Sequence, residues 1–253
     1  SASNYSGWDF GGVWYQVGDM RPILRSEAAT ADSNGVASIW NLHQLALIGA
    51  NLNGTYTLAN NIDASETSGA NASGIWSTGG WVPLGNTNTM FRGSFDGNNH
   101  TINALTVTGY DQVGLFSVSA GSISNLGLVG GSVAGVRTDV GALAGWNYGT
   151  ISNSYSTATV SGNFDVGGLV GINYGTISSS HAAGAVSGVT GFMGGLVAYN
   201  YGTITNAYAN GVVSGSATGA GGLVGLNAAM GVISGAYATG SVSSSSYAVG
   251  GLA

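Results

Sequence analysis

The sequence has no cysteine and no lysine, and its 253 residues include only two prolines and four basic residues, all arginine. Without cysteine the chain can form neither disulfides nor thiolate metal sites. A formal net charge of −6 with so few basic residues leaves no basic patch to neutralise phosphates, so we expect no nucleic-acid partner. No apolar run approaches the roughly 18 residues of a membrane-spanning helix, so we expect no membrane insertion.

Charge of either sign is also scarce, since charged residues make up 6% of the chain and none occurs from Val166 to Ala253. The surface of that part must therefore consist of Ser, Thr, Asn and Gly. Such a composition suits a bacterial protein exported in an unfolded state. The chain opens on Ser1 without a basic n-region, as we expect of a mature form or an excised fragment.

What the sequence has in abundance is glycine, with 46 residues, and they recur periodically. The phrase Val-Gly-Gly-Leu-Val-Gly, with small variations, is repeated through the second half of the chain. Its leucine falls at steps of 26, 27, 27 and 29 residues, at Leu143, Leu169, Leu196, Leu223 and Leu252. Isoleucine recurs at the same period at Ile151, Ile177, Ile204 and Ile233, and valine at Val160, Val186, Val213 and Val242. A period kept this closely is typical of stacked-repeat proteins.

Within one copy the apolar residues form short runs that are separated by glycine and are rich in Val, Ile, Thr and Tyr, which favours strands. We therefore predict an all-β fold, a right-handed parallel β-helix (β-solenoid) with about 27 residues and three short strands per coil. Alternation predicts that Ile151 points inward while Thr150 and Ser152 point outward.

Three polar or aromatic columns share the period. An asparagine column at Asn147, Asn173, Asn200 and Asn227 is predicted to form hydrogen bonds from coil to coil. Aromatic columns are predicted at Tyr148, Tyr174 and Tyr201, and at Tyr155, His181, Tyr208 and Tyr237. The last copy has two extra residues near Met230, which predict a small bulge in a loop.

Three segments are predicted along the chain. Residues 1–37 form an aromatic-rich N-terminal segment ending in a connector at 28–37, either a cap or the end of a preceding array. Residues 38–112 form a leading region with the first coils and one short helix between Ser38 and Ile48, with Ser38 as a possible N-cap. A long loop is expected at 64–80 and a strand–turn–strand unit at 91–102, and residues 113–253 form the repeats.

The repeated phrase resembles the GLUG repeat of very large bacterial secreted and surface proteins, which include filamentous-haemagglutinin-like adhesins. The resemblance is clearest over 167–173 and 236–243. Residues 81–85 with 91–102 resemble the segment that commonly precedes such repeats, and residues 7–25 resemble a motif that closes an array. The resemblance implies a β-solenoid on or outside a bacterial cell, and it implies no catalytic residue. Mild departures occur at Ala142, Ala198 and His181.

Several titratable residues are of types that can act in catalysis or metal binding, and for each a structural role is the favoured interpretation. Asp96, with His100 nearby, lies in a Gly-Asn turn, and His181 lies in the aromatic column. Paired carboxylates can hydrolyse glycosides, but Asp63 and Glu66 lie in a polar loop. Near the coil edges a charged rim, a weak site for a cation or partner, is predicted from Asp111, Arg137, Asp139 and Asp165. We therefore assign no catalytic, cofactor-binding or metal-binding residue and expect no enzymatic activity and no cofactor.

The function expected is that of a non-catalytic extracellular module, structural or adhesive, at a bacterial surface or in a secreted protein. Its partners would be a host-cell, glycan or matrix surface, or other copies of itself. The sequence stops one phrase into a new coil, so an extracellular filament of end-to-end stacked copies is the main alternative. The further alternatives are a carbohydrate-active β-helix and an ice-binding one that would use the outward Thr and Ser ranks.

Overall fold

The protein is a β-solenoid of about six parallel coils, as predicted. This architecture comes from a computed structural model that describes residues 4–68, 74–76, 79–245 and 248–253. Each complete coil contributes five short strands to five parallel sheets, whereas the sequence predicted three. The additional strands are only two to four residues long. They arise because the glycine-rich joints continue the pairing between coils around each corner.

Sheets 1 to 3 are numbered in the order in which the chain passes through them. Sheet 1 consists of Val36–Ile39, Thr55–Leu58, Ser94–Asp96, Ser122–Ser124, Thr150–Ser152, Thr176–Ser178, Thr203–Thr205 and Val232–Ser234. Sheet 2 consists of Ile62–Asp63, Thr101–Asn103, Gly127–Val129, Tyr155–Ser156, His181–Ala182, Tyr208–Ala209 and Tyr237–Ala238. Sheet 3 consists of Thr106–Gly109, Ser132–Gly135, Thr159–Gly162, Val186–Gly188, Val213–Gly215 and Val242–Ser244.

Sheets 4 and 5 complete the coil. Sheet 4 consists of Val140–Gly141, Val166–Gly167, Phe192–Gly194, Gly219–Gly221 and Ala248–Gly250. Sheet 5 consists of Phe116–Ser119, Ala144–Asn147, Val170–Asn173, Val197–Asn200 and Val224–Asn227. A separate antiparallel pair, Trp14–Tyr15 with Ile23–Leu24, lies in the N-terminal segment. The strands before and after residue 112 belong to the same sheets, and the division of the chain into three segments stays a prediction.

The core is made of aliphatic files, each with one residue per coil in register. Leu143, Leu169, Leu196 and Leu223 are at most 1% exposed. The amide of each of the first three donates to the carbonyl of the next, so the predicted leucine column is confirmed. Further files run through Ile123, Ile151, Ile177 and Ile204, and through Val133, Val160, Val186 and Val213. Burying each such side chain contributes roughly 1.5–3 kcal/mol.

Glycine recurs where two coils approach most closely. A Cβ added to Gly175 would overlap the backbone carbonyl oxygen of Gly149 in the preceding coil. The same overlap is found one coil further on, between Gly202 and Gly175. The glycine that follows each tyrosine of the repeat is therefore required by packing between coils rather than by the local turn alone.

The short helix begins later than predicted, at Leu42, and ends at Leu47. Ser38 is not its N-cap, because Val36–Ile39 is the first strand of sheet 1 and pairs with Thr55–Leu58. Asn41 caps the helix instead, its side chain accepting from the backbone N–H of Gln44 at 3.0 Å. The helical spacing between Ile39 and the apolar residues of the helix gave the wrong prediction for Ile39, because Ile39 is a buried strand residue. The connector predicted at 28–37 likewise ends in this strand.

Large side chains close the N-terminal end of the solenoid. Leu42, Leu45 and Ile48 of the helical region are buried against the first coil. Trp76 and Trp81 are buried as a pair with their ring centroids 5.3 Å apart. Part of the predicted 64–80 loop is ordered against sheet 3, since the Thr67 hydroxyl accepts from the amide of Thr106 at 2.8 Å. Short 3₁₀ turns occur at Arg25–Glu27, Ile48–Ala50 and Ser65–Thr67.

Candidate contact face

The outward side of sheet 1 presents two parallel rows of hydroxyl side chains, which we call the hydroxyl face. The first row consists of Thr55, Ser94, Ser122, Thr150, Thr176 and Thr203. The second row consists of Thr57, Asp96, Ser124, Ser152, Ser178, Thr205 and Ser234. All of these residues are at least partly exposed, and the isoleucines between the rows are inward, as predicted. One residue of each row recurs in each coil from Thr55 to Thr205, and in the last coil the first-row position is occupied by Val232.

Only Asp96 carries charge on this face, and its carboxylate is engaged in the turn that follows. Its Oδ1 accepts from the backbone N–H of Asn98 at 2.8 Å and from Nδ2 of Asn125 at 2.9 Å. Asn98 and Asn99 both have positive φ, which asparagine tolerates. Nearby, Nδ1 of His100 lies 3.2 Å from Oδ1 of Asn61, so the structure brings His100 to an amide.

Two stacked aromatic ladders border the hydroxyl face, and both predicted columns are confirmed. Tyr148, Tyr174 and Tyr201 stack with centroids 4.6 and 5.0 Å apart and planes within 7°. The second ladder, Tyr155, His181, Tyr208 and Tyr237, has spacings of 4.9, 4.5 and 5.1 Å. Partial burial lowers the pKa of His181, which favours a neutral ring in the stack. Because the ring faces cover one another, the ladders present mainly ring edges to solvent.

The asparagine ladder forms the corner between sheets 5 and 1. Nδ2 of Asn147 donates to Oδ1 of Asn173, Asn173 donates to Asn200, and Asn200 donates to Asn227, at 2.7–2.8 Å. Each side chain also bonds the backbone of its own turn, as Asn147 does at Gly149. In the last coil Asn227 reaches Gly231 instead, around the predicted bulge at Met230. The ladder therefore holds the edge of the hydroxyl face in a fixed position.

The charged rim predicted at the coil edges is wrong for Asp139 and Asp165. Asp139 and Asp165, on consecutive coils, are only 6% and 4% exposed. Oδ2 of Asp139 accepts from Nε1 of Trp146 at 2.8 Å, and Oδ1 of Asp165 accepts from the amide of Phe192 at 2.8 Å. Burial raises the pKa of Asp139, and burial with the nearby Asp139 raises the pKa of Asp165 to about 6. Sequence reasoning missed this burial because the aromatic covers come from other strands.

The remaining candidate residues are dispersed. Oδ1 of Asp63 accepts from the amide of Ser65 at 2.9 Å, and backbone hydrogen bonding lowers the pKa of Asp63. Glu66 lies in the following 3₁₀ turn. Nδ1 of His43 lies 2.8 Å from Oε2 of Glu27, a contact that the sequence did not predict. Among the residues that the structure describes, no group of three His, Asp or Glu side chains could hold a metal ion.

Cavities are found mainly around the N-terminal third of the chain. The most apolar groove has a volume of about 490 Å³ and is lined by Trp81, Val82, Pro83 and Tyr110, among others. None of the helices in the described ranges has the length and hydropathy that crossing a membrane requires.

The family model described as the GLUG motif matches residues 137–161 and 216–243. These two segments carry the GLUG motif. The matched segments lie in the coil that contains Ile151 and in the coil that contains Ile233, and the two coils between them stack in the same register. The family resemblance that the sequence indicated is thus confirmed at the level of the repeat.

Two relatives share the repetitive sequence. Halomucin of Haloquadratum walsbyi is 40% identical over 119 residues, which is 44% of this chain and 1% of halomucin. A candidate Gly-rich membrane protein of Evansella cellulosilytica is 39% identical over 80 residues, which is 29% of this chain and 9% of that protein. The matched region is thus a small fraction of either relative.

A solved structure has the same architecture. It is the crystal structure of a Bacteroides ovatus protein described as a candidate immunoglobulin A1 protease. The TM-score is 0.71 at 24% identity, over 84% of this chain and 68% of the other. At this identity the likeness shows the fold alone, and it assigns no peptidase activity to this chain.

Proposed function

We propose that this chain is a structural module of a protein at the cell surface or outside the cell, and that its hydroxyl face makes adhesive contact with a neutral, hydroxyl-rich surface. A glycan, a matrix or the glycan coat of a host cell has the matching chemistry. The observation that supports this most directly is the continuity of the two rows over six coils with a single carboxylate among them. The GLUG repeats and the likeness to halomucin fit an extracellular structural module.

Rigidity favours this role. From Val140 onward the backbone of each coil pairs with the next on five sheets, and the asparagine and aromatic ladders add contacts between side chains at the corners. A ligand would therefore meet rows that are already in place, which reduces the entropy lost on binding.

Chemistry favours a neutral polymer. Each Ser or Thr hydroxyl can donate one hydrogen bond and accept others, as a sugar hydroxyl can. Successive coils place these groups about 4.8 Å apart, so the six members of the first row span roughly 24 Å. An extended chain of sugars lying along the axis could engage several coils at once, so weak individual contacts would add together.

The test is binding of the purified chain to insoluble polysaccharides and to a glycan array. The triple substitution Thr150→Val, Thr176→Val and Thr203→Val removes three hydroxyls of the first row while it keeps side-chain shape. We expect affinity to fall at least tenfold. A matched control on sheet 3, Ser161→Ala with Ser187→Ala and Ser214→Ala, should bind like the parent. Equal losses in both triples, or none in the first, would contradict the proposal. Binding to ice crystals in place of glycans would favour the ice-binding alternative.

The second candidate is end-to-end assembly of this segment, in which the last coil would pair with a coil of a second copy. Leu252 is 40% exposed, whereas Leu223, which stacks on it, is completely buried. Tyr237 and Val249 are about half exposed for the same reason. A coil of a second copy would cover these residues by continuing the same pairing. Light scattering over a concentration series would detect such filaments, and a strictly monomeric chain would rule them out for this segment.

A further inference from the structure

The tyrosine ladder beside the hydroxyl face places four phenols in one continuous stack. Tyr148, Tyr174 and Tyr201 come from three successive coils. Tyr199 joins the stack from the same coil as Tyr201, with ring centroids 4.4 Å apart and planes within 10°. The three coil-related rings are 42%, 39% and 40% exposed, so their outer edges reach solvent.

We propose that this ladder is a site of oxidative cross-linking, in which Tyr174 couples to Tyr148 or to Tyr201 to give dityrosine between consecutive coils. The co-reactant is a peroxide-driven one-electron oxidant of the haem-peroxidase class. Each of two phenols loses one electron and one proton. The two radicals then join at ring carbons ortho to the oxygens, and both carbons release their hydrogens as protons while the two oxygens each take up a proton, which restores both phenols. The two rings together lose two hydrogen atoms, and one hydrogen peroxide is reduced to two waters.

Geometry selects this site over other tyrosines. A phenoxyl radical on one of the coil-related rings has another phenol with its ring centroid 4.6 or 5.0 Å away. Coupling inside one molecule therefore competes well with collisions between molecules. The partial exposure of the outer edges allows two neighbouring rings to tilt towards each other until their ortho carbons meet. Tyr110 is 63% exposed and stacks on no other ring in the described parts of the chain, so it can couple only between molecules.

The second ladder provides an internal comparison. There His181 lies between Tyr155 and Tyr208, at 4.9 and 4.5 Å from them, and it separates the two phenols by two coils. Only Tyr208 and Tyr237 remain as adjacent phenols in that ladder, with centroids 5.1 Å apart. Tyr155 should therefore resist intramolecular coupling although its ring is stacked.

A cross-link between coils would matter because the chain has no cysteine. A bond from Tyr148 to Tyr174 would close a loop of about one coil. Such a closure stabilises the folded state, since it restricts the unfolded chain as a disulfide does. The solenoid would gain a covalent staple that reduction cannot remove, without any change in its backbone pairing.

The experiment treats the dilute, folded chain with a haem peroxidase and hydrogen peroxide. We expect a monomeric product lighter by two hydrogens, dityrosine fluorescence, and cross-linked peptides that join Tyr174 to Tyr148 or Tyr201. The melting temperature of this product should rise by several degrees. In Tyr174→Phe the ring stays in the stack, and we expect both of these links to disappear while the Tyr199–Tyr201 pair remains able to couple.

Two controls make the result decisive. Tyr110→Phe should leave the intramolecular product unchanged and reduce only dimers formed between molecules. His181→Tyr should add a new link in the second ladder, to Tyr155 or Tyr208. Circular dichroism melts of the untreated variants establish that each is folded. If the product consists only of intermolecular dimers, or if the intramolecular links of the parent do not include Tyr174, the proposal is wrong. Neither result depends on whether the hydroxyl face binds glycans.

Discussion

The first coils of this solenoid and the coils that follow them fill their interiors with different side chains. The coils up to residue 119 are filled by large rings, with Phe91, Phe95 and Phe116 in contact at centroid distances of 4.9–5.8 Å. From Val140 onward the same inward positions hold Ile, Leu and Val in files that repeat from coil to coil. Phe95 and Ile151, for instance, belong to one file of sheet 1. A repeat can therefore be stacked with few large residues, whereas its first coils need them to close the end.

The largest effect on stability is expected from a substitution that disrupts the aliphatic files. Leu196→Asp places a carboxylate at a position with no exposed surface, among the leucines of neighbouring coils. An unpaired buried charge costs several kcal/mol, and we expect the array to unfold at ambient temperature. Circular dichroism melts will measure this. Leu252→Asp, in the half-open last coil, should lower the melting temperature only slightly, and Thr203→Ala on the outer face should hardly change it. Equal melting points for Leu196→Asp and Thr203→Ala would contradict the stacked architecture.

The next prediction compares the two kinds of core directly. Phe95→Ala should destabilise the protein by about 4 kcal/mol, and Ile177→Ala, two coils beyond Ile123 in the same file, by about 3 kcal/mol. Both side chains are completely buried, so the difference reflects the larger cavity left by the ring. Urea titrations give both values. A cost for Phe95→Ala well below that of Ile177→Ala would show that the first coils do not depend on their aromatic residues.

The third prediction contrasts the coils that contain buried acids with the uncharged coils that follow. The pKa of Asp165 is raised from 3.8 to about 6, so the folded state binds its proton more tightly than the unfolded state does. Stability should therefore fall as the pH rises from about 4 to about 6 and level off above that. At ~1.4 kcal/mol per pH unit, the loss reaches about 3 kcal/mol. Melts at a series of pH values will measure it.

Asp165→Asn is the control for this pH dependence. The amide keeps the shape of the side chain but cannot ionise, so most of the fall in stability should disappear. Asp139 also has a raised pKa and lies on the neighbouring coil, so a smaller dependence should remain. A variant that keeps the full dependence of the parent would show that other groups cause it.

The smallest expected effect lies at the boundary between the two regions. Ser119 occupies the ladder position below Asn147, and its buried hydroxyl has no hydrogen-bond partner. Ser119→Asn would extend the asparagine ladder by one coil, with Nδ2 donating to Oδ1 of Asn147, and should stabilise the protein by about 1 kcal/mol. Ser119→Ala, which only removes the unsatisfied hydroxyl, should be close to neutral. Melting temperatures separate the two, and a destabilised Ser119→Asn would show that the corner cannot hold the larger side chain.

Much of the repeat region could be predicted from the sequence because its signal is periodic. The leucine column, the inward Ile151 between outward Thr150 and Ser152, and the asparagine and aromatic ladders all follow from spacing, since one residue per coil must share one environment. The first third gave no such signal. There Ser38 has the spacing of a helix start, yet the pairing of Val36–Ile39 with Thr55–Leu58 prevails. Pairing between strands that are distant in the sequence outweighs the local preference for a helix. A pattern that occurs only once in the sequence cannot reveal such pairing.

The sequence alone determined the solenoid, its period and the outward position of its hydroxyl rows. These features depend on the alternation of residues within each strand and on the repetition of that local pattern in successive coils. Only the tertiary structure decided that Asp139 and Asp165 are buried, that each coil has five strands, and that the tyrosines stack face to face. Those properties depend on which residues of other coils and corners come within contact distance. Such neighbours are set by the closure of each coil in three dimensions and not by spacing along the chain.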